Sequence, residues 1–285
     1  MEVGSSGSLE MEGAMSQEWV KRLVCPETKK KFRITGDKLV SLGGKYVYTF
    51  SNGIANFLSE KEIHAWDGYQ LKAYSSEPMP PHKYYTRYTD GWRIMLDLGC
   101  GDGVMSADSS SKVDHIFCAN PDRSALEILK RRNIDNMHPI CCFGEKLPFP
   151  DNFFDGIFNI FVIEHLKDSL PILNEMHRVL KSGGTLIIST DTKYYYQYLR
   201  VLMEWRKNGW KRWKSNDPTH FNLMTPSRLR KYLKESNFKI IEENIDFLTG
   251  RWGYFKFLPH IVWEAWLSSF FVFKCAPLEK ENCKN

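Results

Sequence analysis

From Arg93 onward short apolar runs alternate with amphipathic ones, and this alternation constrains the fold more than any other feature of the chain. "RIMLDLG", "HIFCAN", "HPICCFG", "FDGIFN" and "TLIISTD" read as buried strands. "DRSALEILKRRN" and "SLPILNEMHRVLK" lie among them. In the second, Leu170, Leu173, Met176, Val179 and Leu180 recur at helical spacing. Strands alternating with helices imply a parallel sheet covered on both faces. The "SGG" after Lys181 reads as a helix stop with glycine in the left-handed conformation. Beyond a long insert, "RLRKYLKESN" predicts another helix, and "FKIIEENIDF" and "SSFFVFKCAP" two more strands.

Composition sets the bounds. The 285 residues are 42% hydrophobic and 26% charged, enough for a sizeable core. A net charge of +5 permits an acidic partner without demanding one. No run of about 18 apolar residues exists, so no transmembrane helix is expected, and no signal peptide is visible. The seven cysteines are odd in number and form no CxxC pair. That pattern predicts reduced thiols in a cytoplasmic setting and no metal site.

The organisation reads as follows. Residues 1–15 are Gly/Ser-rich and are expected to be a disordered leader or a tag. Residues 16–60 form a small β module, with Gly-Asp, Gly-Gly and Asn-Gly turns between short alternating runs. Residues 61–92 are a linker carrying Pro78, Pro80 and Pro81. Residues 93–278 form the main domain, with an insert at 193–224, and 279–285 are a tail.

The turn that closes the first strand, Asp97-Leu98-Gly99-Cys100-Gly101-Asp102-Gly103, is the candidate ligand site. It is not a phosphate-cradling loop, because no Lys-Ser or Lys-Thr follows Gly103. It also fails the dinucleotide fingerprint, whose last glycine is replaced by Val104. What remains is a turn that admits a ligand close to the backbone, beside an acid able to receive an ammonium group. That chemistry suits the amino-acid end of S-adenosylmethionine.

Four further stretches follow in order: "IFCANPDRSALEILKRR", "GEKLPFPDNFFDGIFNIFVIEHL", "EMHRVLKSGGTLIIST" and "THFNLMTPSRLRKYLKESNFKIIE". With the glycine turn, they make the chain resemble the class I S-adenosylmethionine-dependent methyltransferases of type 11. The resemblance implies a Rossmann-like α/β fold. Its sheet would be mostly parallel and seven-stranded, with helices on both faces and a small N-terminal β module added. It implies S-adenosylmethionine as cofactor. Asp97, Gly99, Cys100 and Gly101 would face its amino-acid end, Asn120 and Pro121 its ribose, and Phe143 and Gly144 its adenine, with Asn159 also in the site. Two positions depart from the family. Most members carry an acid at the ribose position, where Asn120 offers a neutral acceptor and loses the charge-assisted bond. Phe143 stands where Asp often meets the adenine amine.

The N-terminal segments "LVCPETKKKF", "DKLVSLGGKYVYTF" and "NGIANFL" resemble the small zinc-ribbon-like domain that serves some methyltransferases as a partner. Metal-binding members carry paired cysteines. Here Cys25 remains and Thr28 stands in a ligand position, so the likeness implies the fold without zinc.

His220, in "NDPTHFNLMT", is the leading candidate for a base or an acceptor contact, with Asp217 to orient it. His165, in "VIEHL", is the second. Tyr194 and Tyr195 would lie at the mouth of the acceptor pocket. Trp205, Trp210 and Trp213 interleave with basic residues through Lys214. Such a stretch suits stacked bases, sugar faces, an anionic membrane or a solvated surface. Three functions stay open: methylation of an oxygen on a sugar, glycan or other small metabolite, which is preferred; methylation of RNA; and non-catalytic binding by a methyltransferase fold.

Overall fold

A computed structural model describes residues 18–66, 82–193, 220–247 and 268–278. The chain divides into two compact units, residues 1–154 and 155–285. Tyr194, Tyr195, Trp205–Lys214 and Asp217 lie outside the described residues.

The first unit begins with a 3-10 turn, Glu18–Arg22, and a meander of β1 (Phe32–Thr35), β2 (Lys38–Ser41), β3 (Val47–Ser51) and β4 (Ile54–Asn56). Neighbours in the meander are antiparallel. The turn between β3 and β4 uses Asn52 and Gly53, both at positive φ, the backbone that suits a tight hairpin. Helix α1 (Glu60–Trp66) follows. Ser59 and Glu62 cap it reciprocally: the Ser59 amide donates to Glu62 Oε2 at 2.8 Å, and the Glu62 amide donates to Ser59 Oγ at 3.4 Å. A second 3-10 stretch covers His82–Tyr88. Parts of the segment read as a linker are therefore regular.

Then β5 (Ile94–Leu98), α2 (Val104–Ser109), β6 (His115–Asn120), α3 (Arg123–Arg131) and β7 (Met137–Cys141) alternate; the three strands and α3 are those expected from the sequence, and α2 is an addition to them. β5, β6 and β7 run parallel. β4 joins them by pairing parallel with β7, Ala55 opposite Ile140 and Asn56 opposite Cys141. The order within this unit is β1-β2-β3-β4-β7-β6-β5, so the small module extends the same sheet. Trp19 seals the junction. It stacks on His138 with centroids 5.0 Å apart and meets Phe50 and Phe117 edge-on. Burial and the nearby charges of His115 and Arg22 push His138 down to about 3, so it packs as a neutral ring.

The second unit holds β8 (Phe154–Ile160), α4 (Leu170–Val179), β9 (Leu180–Asp191), α5 (Pro226–Glu235), β10 (Phe238–Phe247) and β11 (Ser268–Pro277). Their order is β8-β9-β11-β10, with β11 antiparallel to both neighbours. The expected left-handed glycine stop after α4 is corrected here. The helix ends at Val179, Leu180 is already extended at φ −79 and ψ 135, and "KSGG" belongs to β9. Gly183 and Gly184 are absent from the positive-φ residues. Gly184 has a different use: a Cβ there would come within 2.6 Å of Leu180 Cδ1. Among the described residues no helix is long and apolar enough to cross a membrane.

Candidate functional site

In the first unit β5 delivers Asp97 to the sheet interior, where it is 2% exposed. Its carboxylate accepts a 2.5 Å hydrogen bond from Ser106 Oγ, on α2. Burial raises its pKa to about 6, although the Ser106 bond works against that rise. The chain then reverses through Gly99, Gly101 and Gly103 at φ 85, 57 and 78, a left-handed backbone that strains any side chain. Both the Gly99 and Cys100 amides donate to the Ala119 carbonyl, which ties the turn to the end of β6. Gly103 answers to packing as well, since a Cβ there would lie 2.7 Å from Leu129 and 2.9 Å from Met137. Asp102 is held by Arg132, whose Nε and Nη2 reach its carbonyl and carboxylate at 2.7 Å. Cys100 is buried, and burial with its neighbours Cys118, Asp97 and Cys142 keeps its thiol protonated.

At the end of β6, Asn120 is 1% exposed and its Oδ1 accepts the Asp122 amide at 2.8 Å. Asp122 in turn caps α3, accepting from the Ser124 and Ala125 amides. Pro121 sits in the turn between them, half-buried. After β7, Phe143 packs edge-on to Trp66 with centroids 6.2 Å apart, and Gly144 is buried. Phe143, Cys142 and Lys146 line a cavity of about 320 Å³, whose other walls include Tyr48, Phe57 and Glu62 from the N-terminal segment. Thus the loop expected at the adenine borders the small module, a neighbour that sequence spacing does not reveal. Cys25 is buried and its thiol is free.

In the second unit, Asn159 is fully buried in β8. The next residue but one, Phe161, has φ 56, an uncommon conformation for a bulky side chain. A 3-10 turn, Ile163–His165, follows and turns Glu164 inward to 0% exposure. Thr190 Oγ1 donates to Glu164 Oε2 at 2.9 Å, and the Asn222 amide donates to the Glu164 carbonyl at 2.9 Å. Burial raises the Glu164 carboxyl to about 7, against the lowering effect of hydrogen bonds from the Glu164 backbone, the Thr190 hydroxyl and the Asp191 backbone. The Asn222 contact and the Lys193 amide bond to the Met224 carbonyl fasten the 220s to this site.

His220 lands beside His165, ring centroids 4.8 Å apart. Its Nε2 is 3.9 Å from Asp191 Oδ2. The two histidines picked from the sequence therefore share one cluster. Its carboxylates are Glu164 and Asp191, which sequence reading missed. Glu164 is adjacent to His165 in the chain, but only the 3-10 turn shows that both side chains serve one cluster. Asp191 ends a strand more than 25 residues before His220, with no local signal to link them.

The family profile described as methyltransferase domain matches residues 96–188. The chain is similar to the ubiquinone/menaquinone biosynthesis C-methyltransferase of Vibrio cholerae, 35% identical over 138 residues, which are 43% of this chain and 53% of that protein. It spans about half the length of the curated relatives it matches. Among solved structures, it resembles a chain from the complex of the Haloferax volcanii Trm112 methyltransferase activator with a methyltransferase. The TM-score is 0.54 at 14% identity, over 78% of this chain and 98% of that one. It also resembles an S-adenosylmethionine-dependent methyltransferase from Mesorhizobium loti, with TM-score 0.52 at 16% identity over 69% and 98%. The chain thus has the Rossmann-like α/β fold of S-adenosylmethionine-dependent methyltransferases and carries a methyltransferase domain at residues 96–188.

Proposed function

We propose that the protein transfers a methyl group from S-adenosylmethionine to an oxygen of a small acceptor, a sugar, glycan or other metabolite. The observation that carries the cofactor part is the left-handed glycine turn directly after the buried Asp97. In open α/β sheets ligands bind outside the carboxyl ends of the strands, and this turn stands at such an end. Asp97 receives the ammonium group, the Gly99–Gly101 backbone admits the amino-acid end, and Asn120 with Pro121 meets the ribose. Phe143 and Gly144 complete the cofactor contacts offered by the first unit. The cofactor supplies an electrophilic methyl, so the chain's task is to hold both reactants and to handle a proton. His220 serves as base or acceptor contact, with His165 beside it. The converging histidines and buried carboxylate support this part, since such groups accept and orient a hydroxyl.

A carbon acceptor is the second reading, favoured by the C-methyltransferase name of the Vibrio cholerae relative. The N-terminal segment acts within its own chain as the partner domain it resembles. The β4–β7 pairing supports that role, as it joins the segment directly to the sheet beside the cofactor loops.

Calorimetry with S-adenosylhomocysteine, followed by a screen of hydroxyl-bearing and carbon acceptors with labelled cofactor, tests the proposal. Saturable binding and label on oxygen are expected. Label on carbon selects the second reading, and a folded chain that does not bind S-adenosylhomocysteine overturns both. His220→Ala is expected to slow turnover by about 10²–10⁴-fold while leaving S-adenosylhomocysteine affinity unchanged. Full activity in that variant would remove the histidine from the mechanism.

A further inference from the structure

We propose that Glu164, His165 and His220 form a binding site for a divalent transition-metal ion. Each offers one ligand atom, and the three atoms lie within 4.8 Å of one another. Among the described residues no other group of three His, Cys, Asp or Glu side chains converges this closely. The cysteines point away from a metal, because no two of them stand at CxxC spacing. The ligand set here is two imidazoles and a carboxylate drawn from a 3-10 turn and a distant loop.

Two observations make the cluster more than a chance meeting of polar groups. Glu164 is 0% exposed, yet its Oε1 has no hydrogen-bond partner among the described residues. A buried carboxylate oxygen left unsatisfied is costly, and a bound cation removes that cost. Its other oxygen is fixed by Thr190, which orients the carboxylate as an outer partner of a metal ligand does. The second observation is Asp191, whose Oδ2 lies 3.9 Å from His220 Nε2 and is largely buried. It adds negative charge next to the imidazoles, where a cation gains most.

The chemistry of the donors selects the ion. Two imidazoles and one carboxylate suit Zn²⁺, Mn²⁺ or Fe²⁺ rather than Mg²⁺, which prefers oxygen alone. Ligand atoms sit about 2.0–2.2 Å from such an ion, so the three side chains need to draw together by roughly 1 Å. Three protein ligands leave coordination positions open, and these take an oxygen donor. In this respect the inference rests on the proposed acceptor role of the cluster: His220 then meets an acceptor hydroxyl through the ion rather than directly.

The test uses the full chain, stripped with a chelator and dialysed. Zn²⁺, Mn²⁺ and Mg²⁺ are titrated in turn by calorimetry, and S-adenosylhomocysteine in a separate run. One equivalent of Zn²⁺ or Mn²⁺ is expected to bind, with a rise in melting temperature. His165→Ala and His220→Ala should each weaken that binding at least tenfold, and Glu164→Gln should do so with the least change in packing. Cys25→Ser should leave it intact. Absence of saturable Zn²⁺ and Mn²⁺ binding overturns the proposal, as does binding that survives all three ligand variants. S-adenosylhomocysteine reports on the cofactor reading alone. Its failure to bind while metal binds would sink that reading and leave the metal site standing.

Discussion

At the scale of single residues, Asp97 makes the sharpest statement. Its folded pKa is raised from 3.8 to about 6, by burial. The fold therefore favours the protonated carboxyl. This contribution to stability is fully present below about pH 4 and is lost as pH rises through about 6, worth up to about 3 kcal/mol. In the cofactor-free chain, unfolding free energy should decline between pH 4 and 6.5, and Asp97→Asn should flatten that decline. An ammonium group needs the ionised form, so S-adenosylhomocysteine should bind more tightly as pH rises through 6. An unchanged pH profile in Asp97→Asn would dismiss this carboxyl as the source. Asn120 offers a second residue-level test. Asn120→Asp keeps the acceptor for the Asp122 amide and adds a charge toward the ribose. S-adenosylhomocysteine should then bind more tightly by roughly 1 kcal/mol, and equal or weaker binding would place Asn120 away from the ribose. Both residues were chosen from sequence alone. Ser106, which holds Asp97 from α2, and Arg132, which holds Asp102 from the end of α3, were not, because each contact is made in the folded chain and no local spacing records it.

At the scale of elements, the glycine turn separates into two tasks. Gly103 is left-handed and also packed: a Cβ would meet Leu129 on α3 and Met137 on β7 below 3.0 Å. Gly36 is equally left-handed at φ +58, but nothing lies within 4 Å of its Cβ position. Gly36→Ala should therefore cost about 1 kcal/mol from backbone strain, and Gly103→Ala should add about 1–3 kcal/mol of overpacking. Denaturant unfolding of the two variants side by side checks this, and equal losses would mean that α3 yields without cost. Helices α3 and α5 were legible as runs in the sequence, and the structure adds the caps that start them. Asp122 and Thr225 accept amide bonds from the first turn. The end of α4 was misread because "KSGG" fits a helix stop and a strand entry equally well. In the structure Leu180 is already extended and the four residues enter β9.

At the scale of the whole molecule, the N-terminal segment is more than an appendage. It donates β4 to the parallel strands and Trp19 to a cluster with Phe50, Phe117 and His138. Trp19→Ala should destabilise the first unit by about 3–5 kcal/mol, as large buried aromatics do. Amide hydrogen exchange should then rise together in β4, β6 and β7. Loss of protection confined to residues 18–58 would show instead that the segment folds apart from the α/β strands. Deleting those residues should leave β7 with an open edge and the chain prone to association.

The sequence by itself determined the alternation of strands and helices, the glycine turn with its buried acid, and the two histidines worth watching. These follow from periodicities of two and 3.6 residues and from local turn chemistry, which the chain carries wherever it is read. Tertiary structure alone decided that β4 lies against β7, that Phe143 shares a cavity with the N-terminal segment, and that Glu164 and Asp191 stand with His165 and His220. Apart from the neighbours Glu164 and His165, those meetings join residues far apart in the chain. They are set by which surfaces bury one another, and no local pattern encodes that choice.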